Sequence, residues 1–272
     1  MIPLLLILAA AQAAPVPQAA PAPQAAPGPR AVPAPIPQAA PAADTSAQCL
    51  AVVKANPSHA VQVASDWRLK GGGVPAQQCL GLAYAALERW PAAATAFEQA
   101  AAEAESRQDP RRGDLWVQAG NSWLAAGDGA KARKAFDAAL VTTLLTQEMR
   151  GEVHLDRGRA GVALGDLAGA RADIDKGLQL VPADPFGWYL SSALALKERR
   201  LARAQDDIAE AVRLAPDDAN LLLHAGNVAG ISGEVEAARG LYAQAIKAAP
   251  NSPAAKAART ALAANAEPAQ SR

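Results

Sequence analysis

Two stretches of the chain repeat one order of apolar and polar positions. Residues 163–185 read ALGDLAGARADIDKGLQLVPADP, and residues 197–219 read KERRLARAQDDIAEAVRLAPDDA. Leu167 falls on Leu201, Ala170 on Ala204, Ile174 on Ile208 and Pro182 on Pro216, each pair 34 residues apart. The apolar positions return every three or four residues, the period of a helix with one buried face. The proline ends each run, because it lacks the N–H that a helix interior needs.

The pattern extends in both directions. Residues 115–140 and 221–246 share Ala-Gly-Asn, at 119–121 and 225–227, and then align Gly127 with Gly233, Ala132 with Ala238 and Phe136 with Tyr242. Residues 80–101 place Gly81, Tyr84, Trp90, Ala93, Phe97 and Ala100 at the same offsets. A small residue recurs at Gly81, Gly120, Gly158, Ser192 and Gly226. An alanine recurs at 93, 132, 170, 204 and 238, and a bulky plug at Phe97, Phe136, Ile174, Ile208 and Tyr242. Each unit therefore predicts two helices, with the small position letting them touch and the plug filling the space between units.

These residues resemble the tetratricopeptide repeat, a helix-turn-helix unit of about 34 residues. The resemblance implies an all-α fold, a right-handed solenoid of stacked helix pairs, each with a first (A) and a second (B) helix. Five units begin near Val74, Gly113, Gly151, Pro185 and Ala219, with insertions near EAESRQDPRRG and VTTLLTQEM. Residues 44–72 read as a shortened first unit whose second helix starts at Pro57. Residues 253–264 read as the capping helix that a solenoid needs over its last core face. The solenoid is thus expected to span residues 44–264, with residues 265–272 a tail.

Composition narrows the function. Lys+Arg and Asp+Glu are 26 each, a net charge of zero, which argues against a nucleic-acid partner. Aromatic residues are 4% of the chain, which suits close-packed helices better than a large sheet. Residues 1–14, MIPLLLILAAAQAA, join an apolar run to Ala11-Gln12-Ala13, the pattern of a secretory signal and its cleavage site, so an exported, periplasmic protein is expected. The run is too short to span a bilayer, which takes about 20 residues, and no transmembrane span is expected in the mature chain. Of the 29 residues 15–43, ten are proline and eleven alanine, which predicts an extended spacer reaching at most on the order of 90 Å.

Candidate chemistry is sparse. His59, His154 and His224 fall at unrelated repeat positions, and no pair has the i, i+4 spacing of a helical zinc site. His154 and Asp156 are two apart, so on a helix they point to different faces. Gly230-Ile231-Ser232-Gly233 lacks the hydrolase-elbow spacing and reads as a turn. The carboxylates of DIDKG and DDIAEA are expected on solvated B-helix faces. No catalytic residue, cofactor or metal is expected, and the chain reads as a non-enzyme. Cys49 and Cys79, an even pair, read as a disulfide in an exported chain, joining neighbouring A helices; two buried thiols are the competing reading.

The resemblance also implies a binding face. The family's concave groove is lined by the second, fifth, ninth and twelfth residues of each A helix. Carried over, the fifth positions are Gln78, Val117, Leu155, Tyr189 and Leu223, and the ninth are Leu82, Asn121, Arg159, Ala193 and Asn227. Asn121, Arg159 and Asn227 are the expected hydrogen-bonding groups for an extended peptide, with Leu155 and Tyr189 as apolar contacts; the competing reading has the asparagines satisfying their own neighbours. Family members that clamp a terminal carboxylate use Lys at the fifth position, where this chain has Val117. A protein-binding scaffold of the cell envelope, monomeric or weakly oligomeric, is the leading expectation. A glycan-processing or glycan-binding protein and a self-assembling solenoid are the alternatives.

Overall fold

The computed structural model describes residues 42–264, with side chains from residue 47. The expected signal sequence and the tail lie outside the described residues, as does the spacer up to residue 41.

The described residues form thirteen α-helices and no strand. Six antiparallel pairs follow one another: α1 (Ala42–Ala55) with α2 (Pro57–Leu69), α3 (Gly73–Ala86) with α4 (Trp90–Ser106), α5 (Arg112–Ala125) with α6 (Gly129–Val141), α7 (Gln147–Ala163) with α8 (Leu167–Leu180), α9 (Pro185–Lys197) with α10 (Leu201–Leu214), and α11 (Ala219–Ile231) with α12 (Val235–Ala248). The last helix, α13 (Pro253–Ala264), stands alone. Each helix packs on the next, and A helices also touch the following A helix: α1 on α3, α5 on α7, α7 on α9, α11 on α13. Among the described residues no pair of B helices approaches comparably. The A helices therefore line the tighter side of the stack and the B helices the wider one.

The sequence sets each joint. Asp128, Asp166, Asp184 and Asp218 cap their helices by accepting backbone N–H bonds from Lys131, Gly169, Phe186 and Asn220 at 2.7–3.0 Å. The residue seven after each small position takes a left-handed φ in the A-to-B turn: Glu88 (56°), Gly127 (79°), Gly165 (75°), Arg199 (60°) and Gly233 (81°). Pro182, Pro216 and Pro250 lie in the turns that follow α8, α10 and α12, ahead of the next helix start. α7 begins at Gln147, four residues before the expected Gly151, because Thr146 Oγ1 caps it by accepting from Met149 N at 3.2 Å. The inserted residues before it are not loose: Leu145 is buried against Trp123, Phe136 and Val153.

The core is mostly alanine, with one large plug per unit. Phe97, Phe136, Ile174, Ile208 and Tyr242 are each at most 4% exposed. A Cβ added at Gly81, Gly120 or Gly226 would lie 2.5–2.6 Å from the ring of its own plug. In the fourth full unit Ser192 takes the small position, and its hydroxyl donates to the Ala204 carbonyl at 2.8 Å. That bond joins α9 to α10 through a side chain where the other units join through bare backbone approach.

Candidate functional site

The A-helix side carries one continuous polar and aromatic band across four units. It starts on α5 with Asn121, which is exposed. On α7, Asp156 accepts a bond from Arg159 Nη1 at 2.8 Å. Burial pushes the Asp156 carboxyl up in pKa, against hydrogen bonds from Arg159 and Asn121 that act to lower it. The Arg159 guanidinium lies 5.6 Å from the centroid of the Phe186 ring on α9, a cation–π distance. Phe186 stacks on Tyr189, centroids 5.9 Å apart, and Tyr189 meets the edge of His224 on α11 at 4.9 Å.

His224 anchors the far end. Ser192 Oγ spends its single proton on the Ala204 carbonyl, so at 3.1 Å it accepts from His224 Nε2–H. That fixes the tautomer, and burial lowers the His224 pKa and favours the neutral ring. Beyond it, Asn227 is exposed, but its Oδ1 accepts the Tyr242 hydroxyl at 2.9 Å. The amide oxygen of Asn227 is thus committed to its own unit.

Of the expected groove residues, Asn121, Arg159 and Tyr189 are brought onto this band, and Asn227 lies next to it. Leu155 does not line it. It is 2% exposed and sits in the core with Ile174, Leu178 and Leu194. Gly177 and Gly187 make the room, since a Cβ at either would come within 2.6 and 3.1 Å of the Leu155 methyls. Its repeat position alone suggests a groove side chain; two glycines on facing helices turn it inward. Asp156, Phe186 and His224 were missed by sequence reasoning. Phe186 holds the second A-helix position, so the rule that selected Tyr189 selects it too. Asp156 and His224 hold the sixth position, which that rule omits.

Asp173 and Asp207, expected in solvent, instead turn inward into networks that reach the neighbouring unit, while Asp206 is exposed. Asp207 is 6% exposed and accepts from Ser191 Oγ at 2.5 Å, while Arg171, 9% exposed, donates to the same hydroxyl at 2.7 Å and to Glu198 at 3.0 Å. Arg203 adds a 2.5 Å bond to Asp175. One unit earlier, His154 does turn away from Asp156, and pairs with Asp173 at 3.0 Å, where Arg157 also binds. Burial alone would raise the Asp173 pKa, but the bonds and charges of His154 and Arg157 hold it low. Among the described residues no group of three or more His, Cys, Asp or Glu side chains could hold a metal, and no helix is long and apolar enough to cross a membrane.

At the N-terminal end Cys49 on α1 and Cys79 on α3 form a disulfide, with Cα atoms 6.0 Å apart. It joins two neighbouring A helices, the expected reading, in place of two buried thiols. Beside it, Leu50, Pro75 and Leu82 line a cavity of about 300 Å³, with the Gln78–Gln118 amide pair at its edge.

Residues 80–147 and 192–253 match the family model described as Tetratricopeptide repeat. No curated protein matches the chain. Among solved structures, the chain is similar to PilW, described as a widely conserved type IV pilus biogenesis factor: TM-score 0.67, 18% identity, over 81% of this chain and 98% of that one. It is similar to PilF of Pseudomonas aeruginosa at TM-score 0.63 and 18% identity, over 82% and 97% of the two chains. It also matches a chain of the APC/C hetero-tetramer Cut9–Hcn1 at TM-score 0.60 and 16% identity, covering 81% of this chain but only 42% of that longer one. At these identities the likeness is one of fold. With the matched family model, the paired helices and the recurring small and plug positions, the chain is a tetratricopeptide-repeat protein built as an α-solenoid.

Proposed function

We propose that the protein is a non-enzymatic scaffold of the bacterial cell envelope that holds a protein partner through its A-helix face. The observation that carries this reading is the unbroken band from Asn121 through Asp156, Arg159, Phe186 and Tyr189 to His224. Its Arg159 is pre-set by Asp156 on one side and the Phe186 ring on the other. A guanidinium held this way, still 42% exposed, offers its remaining N–H donors at little further entropic cost. Asn121 adds an amide, and Phe186, 44% exposed, adds an apolar surface. An extended peptide has unpaired backbone carbonyls and alternating side chains, and this band offers donors and rings at the spacing of successive A helices.

Placement outside the cytoplasm rests on two supports. The apolar N-terminal run ends in Ala11-Gln12-Ala13, and the Cys49–Cys79 bridge belongs to oxidising compartments. Crosslinking capture from intact envelopes, with the full chain as bait, tests both. A partner captured by the native protein and lost with Arg159→Ala/Tyr189→Ala supports the reading, provided the variant's helix content is unchanged. Capture indifferent to that pair removes the A-helix face from the account. Alkylation of thiols in unbroken cells tests compartment separately: both cysteines should resist labelling unless a reductant is added.

A further inference from the structure

The space enclosed by the B helix of one unit and both helices of the next is filled differently at each joint. At the joint of α4 with α5 and α6, the Trp123 indole occupies it and donates Nε1–H to Glu98 at 2.8 Å. Lys131 lies over the ring at 4.0 Å. Position by position, Trp123 is three residues after the small position Gly120; its counterparts are Gly161, Ala195 and Ala229. At the joint of α6 with α7 and α8, arginines replace the indole. Arg133 reaches to within 3.1 Å of where a Gly161 Cβ would stand and binds Asp166, while Arg157 spans Asp137 and Asp173. At the joint of α8 with α9 and α10, Arg171, Ser191 and Asp207 fill it.

At the joint of α10 with α11 and α12 the chain supplies no filler. Gln205 stands where Arg133 and Arg171 stood, and it turns aside to bond Glu234 at 2.7 Å. Ala225 replaces Arg157 and Ser191, Leu241 replaces Asp173 and Asp207, and Ala229 replaces the tryptophan. The result is a cavity of about 390 Å³, floored by Ala225, Val228 and Ala229, walled by Ile208 and Leu241, with Glu234 at its edge. Its volume is that of a small-molecule site, and an apolar lining with one or two fixed polar groups is what such sites have.

We propose that this cavity binds a small planar aromatic molecule carrying one N–H or O–H donor, of the indole or phenol class, with its ring on Val228 and Ala229 and its donor on the Glu234 carboxylate. The chain's own Trp123, set in the equivalent space, is the template for the ring; its acceptor Glu98 is replaced here by Ala209, and Glu234 is the carboxylate that borders the space instead. None of the residues that line the site belongs to the A-helix band, although Tyr189 packs on the cluster that contains Ile208, Ala225 and Val228.

Indole is the probe, titrated into the full-length protein and followed by saturation-transfer NMR. The expected result is saturable binding at about 1 mM or tighter, the range open to a ligand of this size. N-methylindole, which cannot donate, should bind about tenfold more weakly. Ala229→Trp with Ala209→Glu rebuilds the Trp123–Glu98 arrangement inside the cavity and should abolish binding. Ala209→Trp, at an exposed position on the cavity wall, does the same should the first variant not fold. Arg159→Ala, in the A-helix band and outside the cluster that walls the cavity, should leave indole binding unchanged. Absence of saturable binding to the native protein, or native-like binding by a folded filled variant, overturns the site. Equal binding of N-methylindole overturns the role of Glu234.

Discussion

Adding one methyl group at Gly120 and another at Gly240 should move stability in opposite directions. Both glycines lie within helices, so replacement by alanine removes the same backbone-entropy cost, worth about 0.5–1 kcal/mol in favour of folding. Around Gly240 no heavy atom beyond its chain neighbours and its own helix backbone lies within 4 Å of the new Cβ, so the gain is realised in full. Around Gly120 the Cβ would meet Phe136 Cε1 at 2.5 Å, Cδ1 at 2.7 Å and Cζ at 2.8 Å. Ordinary carbon contacts are about 3.5–4.0 Å, so three ring carbons overlap by about 1 Å. Phe136 is 0% exposed and has no free volume to retreat into, so α5 and α6 must separate. Overpacking of this kind costs about 1–3 kcal/mol, and contact with three ring atoms puts it near about 3. After the alanine gain, Gly120→Ala should lose about 2 kcal/mol, a fall in Tm of about 4–8 °C, while Gly240→Ala should rise by about 1–4 °C. The assay is thermal unfolding by circular dichroism on both variants, with Gly120→Ala/Phe136→Leu as a cycle. The smaller side chain should make the double variant at least about 1 kcal/mol more stable than the sum of the singles. Were Gly120→Ala to melt at or above the native protein, the claim that the recurring small position exists to admit the plug ring would be refuted.

Four further outcomes are expected. Replacing Cys49 and Cys79 together by serine should cost at most about 3–4 kcal/mol from a bridge over 30 residues, and a reductant should lower the native Tm while leaving the serine variant unmoved. Asp207→Ala strips Ser191 of its acceptor, leaves Arg203 with Asp175 alone and should cost about 3 kcal/mol; changing Arg171, Ser191 and Asp207 together to Gln, Ala and Leu, the residues of the next joint, should return to within about 1 kcal/mol of native. His224 is held with a lowered pKa, so its share of stability is whole above its unfolded pKa of about 6.5 and declines as pH falls through that value toward the folded one; Asp173, also lowered, keeps its share above about pH 4 and loses it below. Melting curves from pH 7.5 to 3.5 should show the first decline vanish in His224→Gln and the second shrink in Asp173→Asn. Arg199→Gly relieves a left-handed backbone at 60° and should raise Tm by a few degrees, about 1 kcal/mol.

What was legible in the sequence was whatever the backbone imposes on every unit. Helices that touch require a small residue at a fixed place, the gap between them requires a plug, and helix ends require a cap. Those demands recur with the repeat and print a period on the chain, which gave the helix pairs, Pro57 at the head of α2, and α1 beside α3 where Cys49 and Cys79 meet. Side chains acting across joints leave no such trace. DIDKG and DDIAEA look solvated because each is dense in charge, yet Asp173 accepts from Arg157, which also binds Asp137 of the preceding unit, and Asp207 accepts from Ser191, which Arg171 of the preceding unit binds. Leu155 shares its repeat position with Tyr189, and only Gly177 and Gly187, on two other helices, decide that it points to the core.

The joints also follow an order along the stack that bears on how the solenoid opens. An indole with its N–H satisfied fills the joint of α4 with α5 and α6, ion networks the next two, and the last full joint holds only aliphatic walls around a cavity. In a repeat protein, stability is close to a sum of unit terms and joint terms, and side chains that face an open pocket have no partner atoms on that side. The pair α11–α12 with its cap α13 is therefore held less firmly to α10 than each earlier unit is to its predecessor, and the bridge Cys49–Cys79 firms the opposite end. Amide exchange should accordingly be fastest, among the buried A-helix amides, in α11, and Ala229→Trp should slow it there while leaving α5 and α7 unchanged. Exchange that instead begins at α3, or that Ala229→Trp does not slow, would mean the ion networks and not the cavity set the weak joint.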